Sequence, residues 1–128
     1  MRGVIERMLS MRTEQRMEIE RKIVRHLIRT MKKHGWNAIA VDDGGDGWEQ
    51  TKTETEVMGF VFGVDESSIK FHKKVGNVKV THFAYIVLGN DGYDCICDYG
   101  YSNKDDFAEV MEKEVDPYIE KLEENSHL

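Results

Sequence analysis

The stretch Val78-Lys-Val-Thr-His-Phe-Ala-Tyr-Ile-Val-Leu-Gly-Asn-Asp-Gly-Tyr-Asp-Cys-Ile-Cys-Asp-Tyr99 decides the fold. Its first half alternates, placing Val80, His82, Ala84, Ile86 and Leu88 on one side of an extended chain, the two-residue period of a half-buried strand. Asn90-Asp91-Gly92 interrupts it with residues that tolerate positive φ, a hairpin signal. Tyr93–Tyr99 then returns, with Asp94, Ile96 and Asp98 on one face and Tyr93, Cys95, Cys97 and Tyr99 on the other. An antiparallel hairpin is the expected centre of the molecule.

Working outward, Ser68–Lys73 is a third strand of this group, with Ile69 and Phe71 on one side. Upstream, Trp36–Val41 and Trp48–Lys52 read as two strands joined by the turn Asp42-Asp43-Gly44-Gly45-Asp46-Gly47. Thr53 and Glu56 form a capping box that opens a short helix over about 54–63. Ile19, Ile23, Leu27 and Met31, widened by Val24 and Ile28, give a long amphipathic helix over 13–34. Thr13 is its expected cap, and it stops near Gly35. At the other end Asn103 caps an acidic helix from Lys104 to about Glu124, which Asp116-Pro117 is expected to break. The order α-β-β-α-β-β-β-α implies an α+β fold, an antiparallel sheet of about five strands with flanking helices. The 128 residues suit a single domain, with residues 1–16 expected as a poorly ordered N-terminal extension.

Composition narrows the function. No apolar run approaches the roughly 20 residues a spanning helix needs; the longest are Met58–Val64 and Phe83–Gly89. Cys95 and Cys97 are the only cysteines, too close for an unstrained bridge, so reduced thiols and a cytoplasmic setting are expected. The net charge of −6 is unevenly spread: residues 1–34 hold ten Lys/Arg against four Glu, and the remainder eight Lys against twenty Asp/Glu. A basic arm on an acidic body favours either an anionic partner or attraction between the two halves. It also suggests a homodimer in which the basic first helix of one copy meets the acidic last helix of another.

Several constellations could carry chemistry. Arg21, Arg25 and Arg29 recur at spacings of four with Lys32 and Lys33 nearby, a stripe suited to phosphates or to a solvated, self-paired face. The turn acids Asp42, Asp43 and Asp46 lack the ligand spacing of a calcium loop. Asp91, Asp94 and Asp98 could serve acid–base chemistry or a metal, or cap the hairpin. His26, His34, His72 and His127 show no ligand spacing, and His82 reads as a core or edge residue. No phosphate-binding loop, dinucleotide fingerprint, nucleophile elbow or zinc-protease motif occurs in the sequence. The expectation is therefore a non-enzymatic protein without catalytic residues, cofactor or metal, acting by protein–protein interaction. Trp48, Tyr93, Tyr99 and Tyr101 are the interface candidates. Nucleic-acid binding by the basic helix is the alternative, and a small enzyme or metal site at the acidic hairpin a third.

The segment Leu88-Gly-Asn-Asp-Gly-Tyr-Asp-Cys-Ile-Cys-Asp-Tyr99, followed by a capped acidic helix, resembles a set of small uncharacterised proteins of tailed bacteriophages and prophages. The likeness spans about residues 20–123. It implies a mobile-element origin and a cytoplasmic setting, and carries no activity or site residue with it.

Overall fold

The computed structural model describes residues 2–45 and 47–125, with side chains from Arg12 onward. The elements run α1 (Arg2–Lys33), β1 (Asn37–Asp42), β2 (Glu49–Gln50), α2 (Glu54–Val61), β3 (Glu66–Val75), β4 (Val78–Val87) and β5 (Ile96–Tyr99). A last helical segment follows as α3 (Phe107–Val110), a π-helical turn (Met111–Val115) and α4 (Asp116–Asn125). The sheet order is β2-β1-β3-β4-β5, every neighbouring pair antiparallel. The α+β architecture read from the sequence is the one observed.

Alternation builds the sheet. Ser67, Ile69 and Phe71 of β3 and His82, Ala84 and Ile86 of β4 are buried on one face. The apolar stripe of α1 covers them with Ile23, Val24, Leu27, Ile28 and Met31, joined by Val57 and Val61 of α2 and by Phe107, Val110, Met111 and Val115. All helical segments thus contribute to one core on one side of the sheet.

Helix ends follow local chemistry. Gly35 adopts φ 88°, and the Gly35 and Trp36 N–H groups donate to the Lys32 and Met31 carbonyls at 3.0 and 2.9 Å, the paired bonds of a Schellman ending. Trp36 is therefore the first core residue after the helix rather than a strand residue. Thr53 Oγ1 accepts from the Glu56 N–H at 3.2 Å and caps α2 as expected.

Four readings need correction. The first helix continues through Thr13 to Arg2, so Thr13 is not its cap. The last helix starts at Phe107, not Lys104: Asp105 Oδ1 takes the Phe107 N–H at 3.0 Å, the role given to Asn103. Pro117 does not break the segment, because the π-helical turn just before it widens the backbone where the ring would otherwise meet a carbonyl. The return strand begins only at Ile96, and a bulge lies in its pairing between Tyr85 and Ile86. One extra residue reverses the alternation, so Cys95 is buried and Cys97 exposed instead of both sharing a face.

Candidate functional site

The face of the sheet opposite the helices is bare. The pairing register groups its residues in rows across β3 and β4: Glu66 with Val87, Ser68 with Tyr85, Lys70 with Phe83, His72 with Thr81, and Lys74 with Lys79. Asp42 of β1 and Asp98 of β5 extend the second row, and Gln50 of β2 extends the third through Ala40. At the centre, Trp48 stands against Phe83 with ring centroids 5.6 Å apart, and Lys70 Nζ lies 4.9 Å over the Trp48 ring, a cation–π contact. Phe83 is 44 % exposed. An aromatic ring this open, with a tryptophan against it on an uncovered face, is what a contact surface presents.

Of the expected interface residues, Trp48 therefore sits on this face. Tyr93 and Tyr99 are half-buried and pack against the core; in Tyr99 the bulge and the pairing with Ala84 turn the ring inward. Tyr101 is 76 % exposed, beyond the end of β5. Phe83 was not singled out in the sequence, although its position opposite in parity to His82 and Ala84 marks it as outward.

The basic stripe of α1 is largely spoken for. Arg29 makes two hydrogen bonds to Glu54, at 2.7 and 3.1 Å, which raise the Arg29 pKa. Lys33 and His34 meet Glu114, whose carboxyl is held below its ordinary value mainly by the Lys33 hydrogen bond. Arg21 lies 5.5 Å over the Phe62 ring. Arg25 and Lys32 are exposed. Arg25 borders a hollow of about 240 Å³ with Lys22, Arg29 and the stacked pair His26 and Tyr118. A larger cleft of about 460 Å³ between α1, β1 and α2 is lined by Lys32 and the Arg29–Glu54 pair.

The acidic groups behave as turn chemistry. Asp42 and Asp43 accept from the Gly44 and Gly45 N–H groups; Asp46 and His127 lie outside the described residues. Asp91 Oδ1 accepts from the Tyr93 and Asp94 N–H groups, while Asp98 lies opposite Tyr85 in the sheet. Burial and the adjoining Asp91 raise the Asp94 pKa. Among the described residues no group of three or more His, Cys, Asp or Glu is placed to hold a metal. Burial, Glu20 and Asp94 push the Cys95 thiol up to about 12, far from the thiolate a nucleophile needs.

The densest polar cluster lies inside. His82 Nε2 pairs with Asp105 Oδ2 at 2.8 Å, and its ring stacks on Phe107 at 4.9 Å and meets Trp36 at 5.3 Å. Trp36 Nε1 donates to Asp106 Oδ1 at 2.9 Å, and Lys73 Nζ donates to both Asp106 oxygens at 3.1 and 3.2 Å. The two aspartates thereby tie the start of the last helix to the sheet and to the end of α1. His82 and Asp105 are both buried, so the pair holds structure together rather than facing a substrate.

Burial pushes the Asp106 carboxyl up, but the Trp36 and Lys73 hydrogen bonds and the Lys73 charge outweigh it and leave the pKa below the ordinary value. A depressed carboxylate stabilises fully above its unfolded pKa, and the contribution drains away as pH falls through the lower folded pKa. Asp106→Asn is therefore expected to flatten the acid limb of a stability-versus-pH curve. Urea midpoints measured from neutral pH to below pH ~4 test this; an unchanged limb contradicts it.

Compared with known proteins, the chain matches no family model, no curated protein and no solved structure. Among the described residues no helix is long and apolar enough to cross a membrane.

Proposed function

We propose that this chain is a non-enzymatic binding protein of phage or prophage type, cytoplasmic, that acts through protein–protein interaction on the bare face of its sheet. The observation that carries the reading is the outward cluster of Trp48, Lys70 and Phe83 at the centre of a face that no helix covers. A buried-aromatic anchor ringed by charges is the usual composition of an interface centre. The polar groups that could support catalysis are instead spent on turns and on the internal aspartate ties. The resemblance to tailed-phage proteins supports the proposed origin. Phosphate binding by α1 is the second reading; it rests on exposed Arg25 and Lys32, since Arg29 and Lys33 would have to leave their carboxylates.

Affinity capture with wild-type and Phe83→Asp baits tests the proposal. Phe83 is largely open, so the substitution is expected to change stability by no more than about 1 kcal/mol. A protein retained by the wild type and reduced about 100-fold on the variant supports the face. Equal recovery on both baits, or none on either, overturns it.

A further inference from the structure

The bare face carries a charge pattern with a direction. Along the strands its rows run from acidic to basic: Glu66 at one end, Asp42 and Asp98 next, Lys70 with Phe83 in the middle, then His72, and Lys74 with Lys79 at the other end. Glu66 and Lys74 are each four residues from Lys70 along β3, about 13 Å on either side of the centre. Lys74 and Lys79 are exposed and directly opposite one another. Like charges so placed repel, and they have no ion-pair partner among the described residues. Glu66 receives the Tyr85 hydroxyl on one oxygen at 2.6 Å, leaving the other open.

From this we infer that the first partner of the face is a second copy of this chain, packed sheet to sheet about a two-fold axis through the Lys70–Phe83 row. The inference rests on the reading of the face as a contact surface and names its occupant. An axis in the interface plane and perpendicular to the strands reverses the row order while keeping β3 over β3 and β4 over β4. Glu66 of one copy then faces the Lys74 and Lys79 row of the other, Ser68 and Tyr85 face His72 and Thr81, with Asp42 and Asp98 at the flanks of that row, and the two Phe83 rings meet at the axis. An isologous contact must complement itself; this pattern does so by charge at both ends and through the paired Phe83 rings at the centre, where each Lys70, which would otherwise meet its own copy, is drawn over its Trp48 ring. Strands stay aligned apart from sheet twist, the common geometry of packed sheets. The size also fits. The 32 strand residues present about 500 Å² of plane at a strand rise of about 3.3 Å and a spacing of about 4.8 Å. Protruding side chains raise the accessible area toward the ~800 Å² each partner of a stable pair removes. A purely acidic or purely basic partner would match one half of the face and be repelled by the other.

Sedimentation equilibrium on the full chain is the test. The wild type is expected to form a dimer that weakens with added salt. Phe83→Asp is expected to weaken it about 100-fold, and the double variant Lys74→Glu/Lys79→Glu about tenfold. The double variant Glu66→Lys/Asp98→Lys is expected to weaken self-association similarly, and mixing the two double variants to restore a dimer. Circular dichroism confirms that each variant is folded. A wild type that stays monomeric overturns the inference, as does a dimer unmoved by all of these variants, which would place the contact elsewhere, such as basic α1 against acidic α4. A mixture that fails to re-form the dimer overturns the two-fold register. A monomeric wild type leaves the contact-surface reading to be decided by capture on Phe83, so the two failures are distinguishable.

Discussion

Gly100→Ala is expected to destabilise the protein by about 3 kcal/mol, the upper part of the range for overpacking a core. A methyl group at Gly100 would overlap His82 Nδ1 and lie 3.1 Å from its Cγ and 3.2 Å from its Cβ. The ring cannot step aside. Phe107 is stacked on it, Trp36 is against its edge, and Nε2 is held by Asp105. Gly100 does not have the positive φ that would make any side chain strained there, so the cost comes from overlap with one ring. That distinction supplies the check. Placed on a His82→Ala background, the same substitution should cost much less than on the wild type, giving an interaction energy of about 2 kcal/mol of relieving sign. Urea denaturation of the four proteins measures it. A single-variant cost below about 0.5 kcal/mol, or strict additivity with His82→Ala, rejects the explanation.

The architecture was legible where a short period controlled the outcome. The alternation of Val78–Leu88 places His82, Ala84 and Ile86 inward, and the apolar stripe of Ile23, Leu27 and Met31 faces the core. Reasoning from period failed where an irregularity reset it. The bulge at Tyr85 and Ile86 separates Cys95 from Cys97 and turns Tyr99 inward, and no residue type in Tyr93–Tyr99 announces an inserted position. The cap of the last helix was missed for a different reason. Ser102, Asn103, Asp105 and Asp106 all have capping side chains, and only tertiary contact, with His82 for Asp105 and with Trp36 and Lys73 for Asp106, selects among them. The same holds for Glu20. It stands in a stripe of charged residues, yet it is buried and accepts the Gly89 N–H at 2.9 Å while holding Arg16 at 3.3 Å. Half of the candidate surface could be read in advance. Trp48 was marked by type, whereas Phe83 needed the parity of its strand and the knowledge that every helix lies on the other side.

Asp105→Ala is expected to have the largest effect of any polar substitution, about 2–5 kcal/mol, the cost of leaving two desolvated groups without the hydrogen bond each makes to one carboxylate. Asp105 serves two elements at once: Oδ2 takes His82 from β4, and Oδ1 takes the Phe107 N–H that opens α3. Its loss leaves a buried ring nitrogen and a helix-terminal N–H without partners, each a desolvated donor. Against a typical total stability of about 5–15 kcal/mol, that is enough to unfold a substantial share of the population on mild heating. Asp105→Asn separates the two roles. The amide oxygen can still accept from Phe107, while the amide nitrogen meets His82 as a donor unless the imidazole changes tautomer, so a smaller loss of about 1–2 kcal/mol is expected. Denaturant midpoints rank the two variants, and hydrogen exchange locates the damage. The amides of Phe107–Asn125 should lose protection first, because their anchors to the sheet and to α1 run through Asp105, Asp106 and the Glu114 contacts of Lys33 and His34. Exchange that quickens equally across β3 and β4 would mean that the last helix and the sheet open as one unit. An alanine variant within about 1 kcal/mol of wild type would mean that His82 and Phe107 find other partners, and that the aspartate tie does not hold the helix to the sheet.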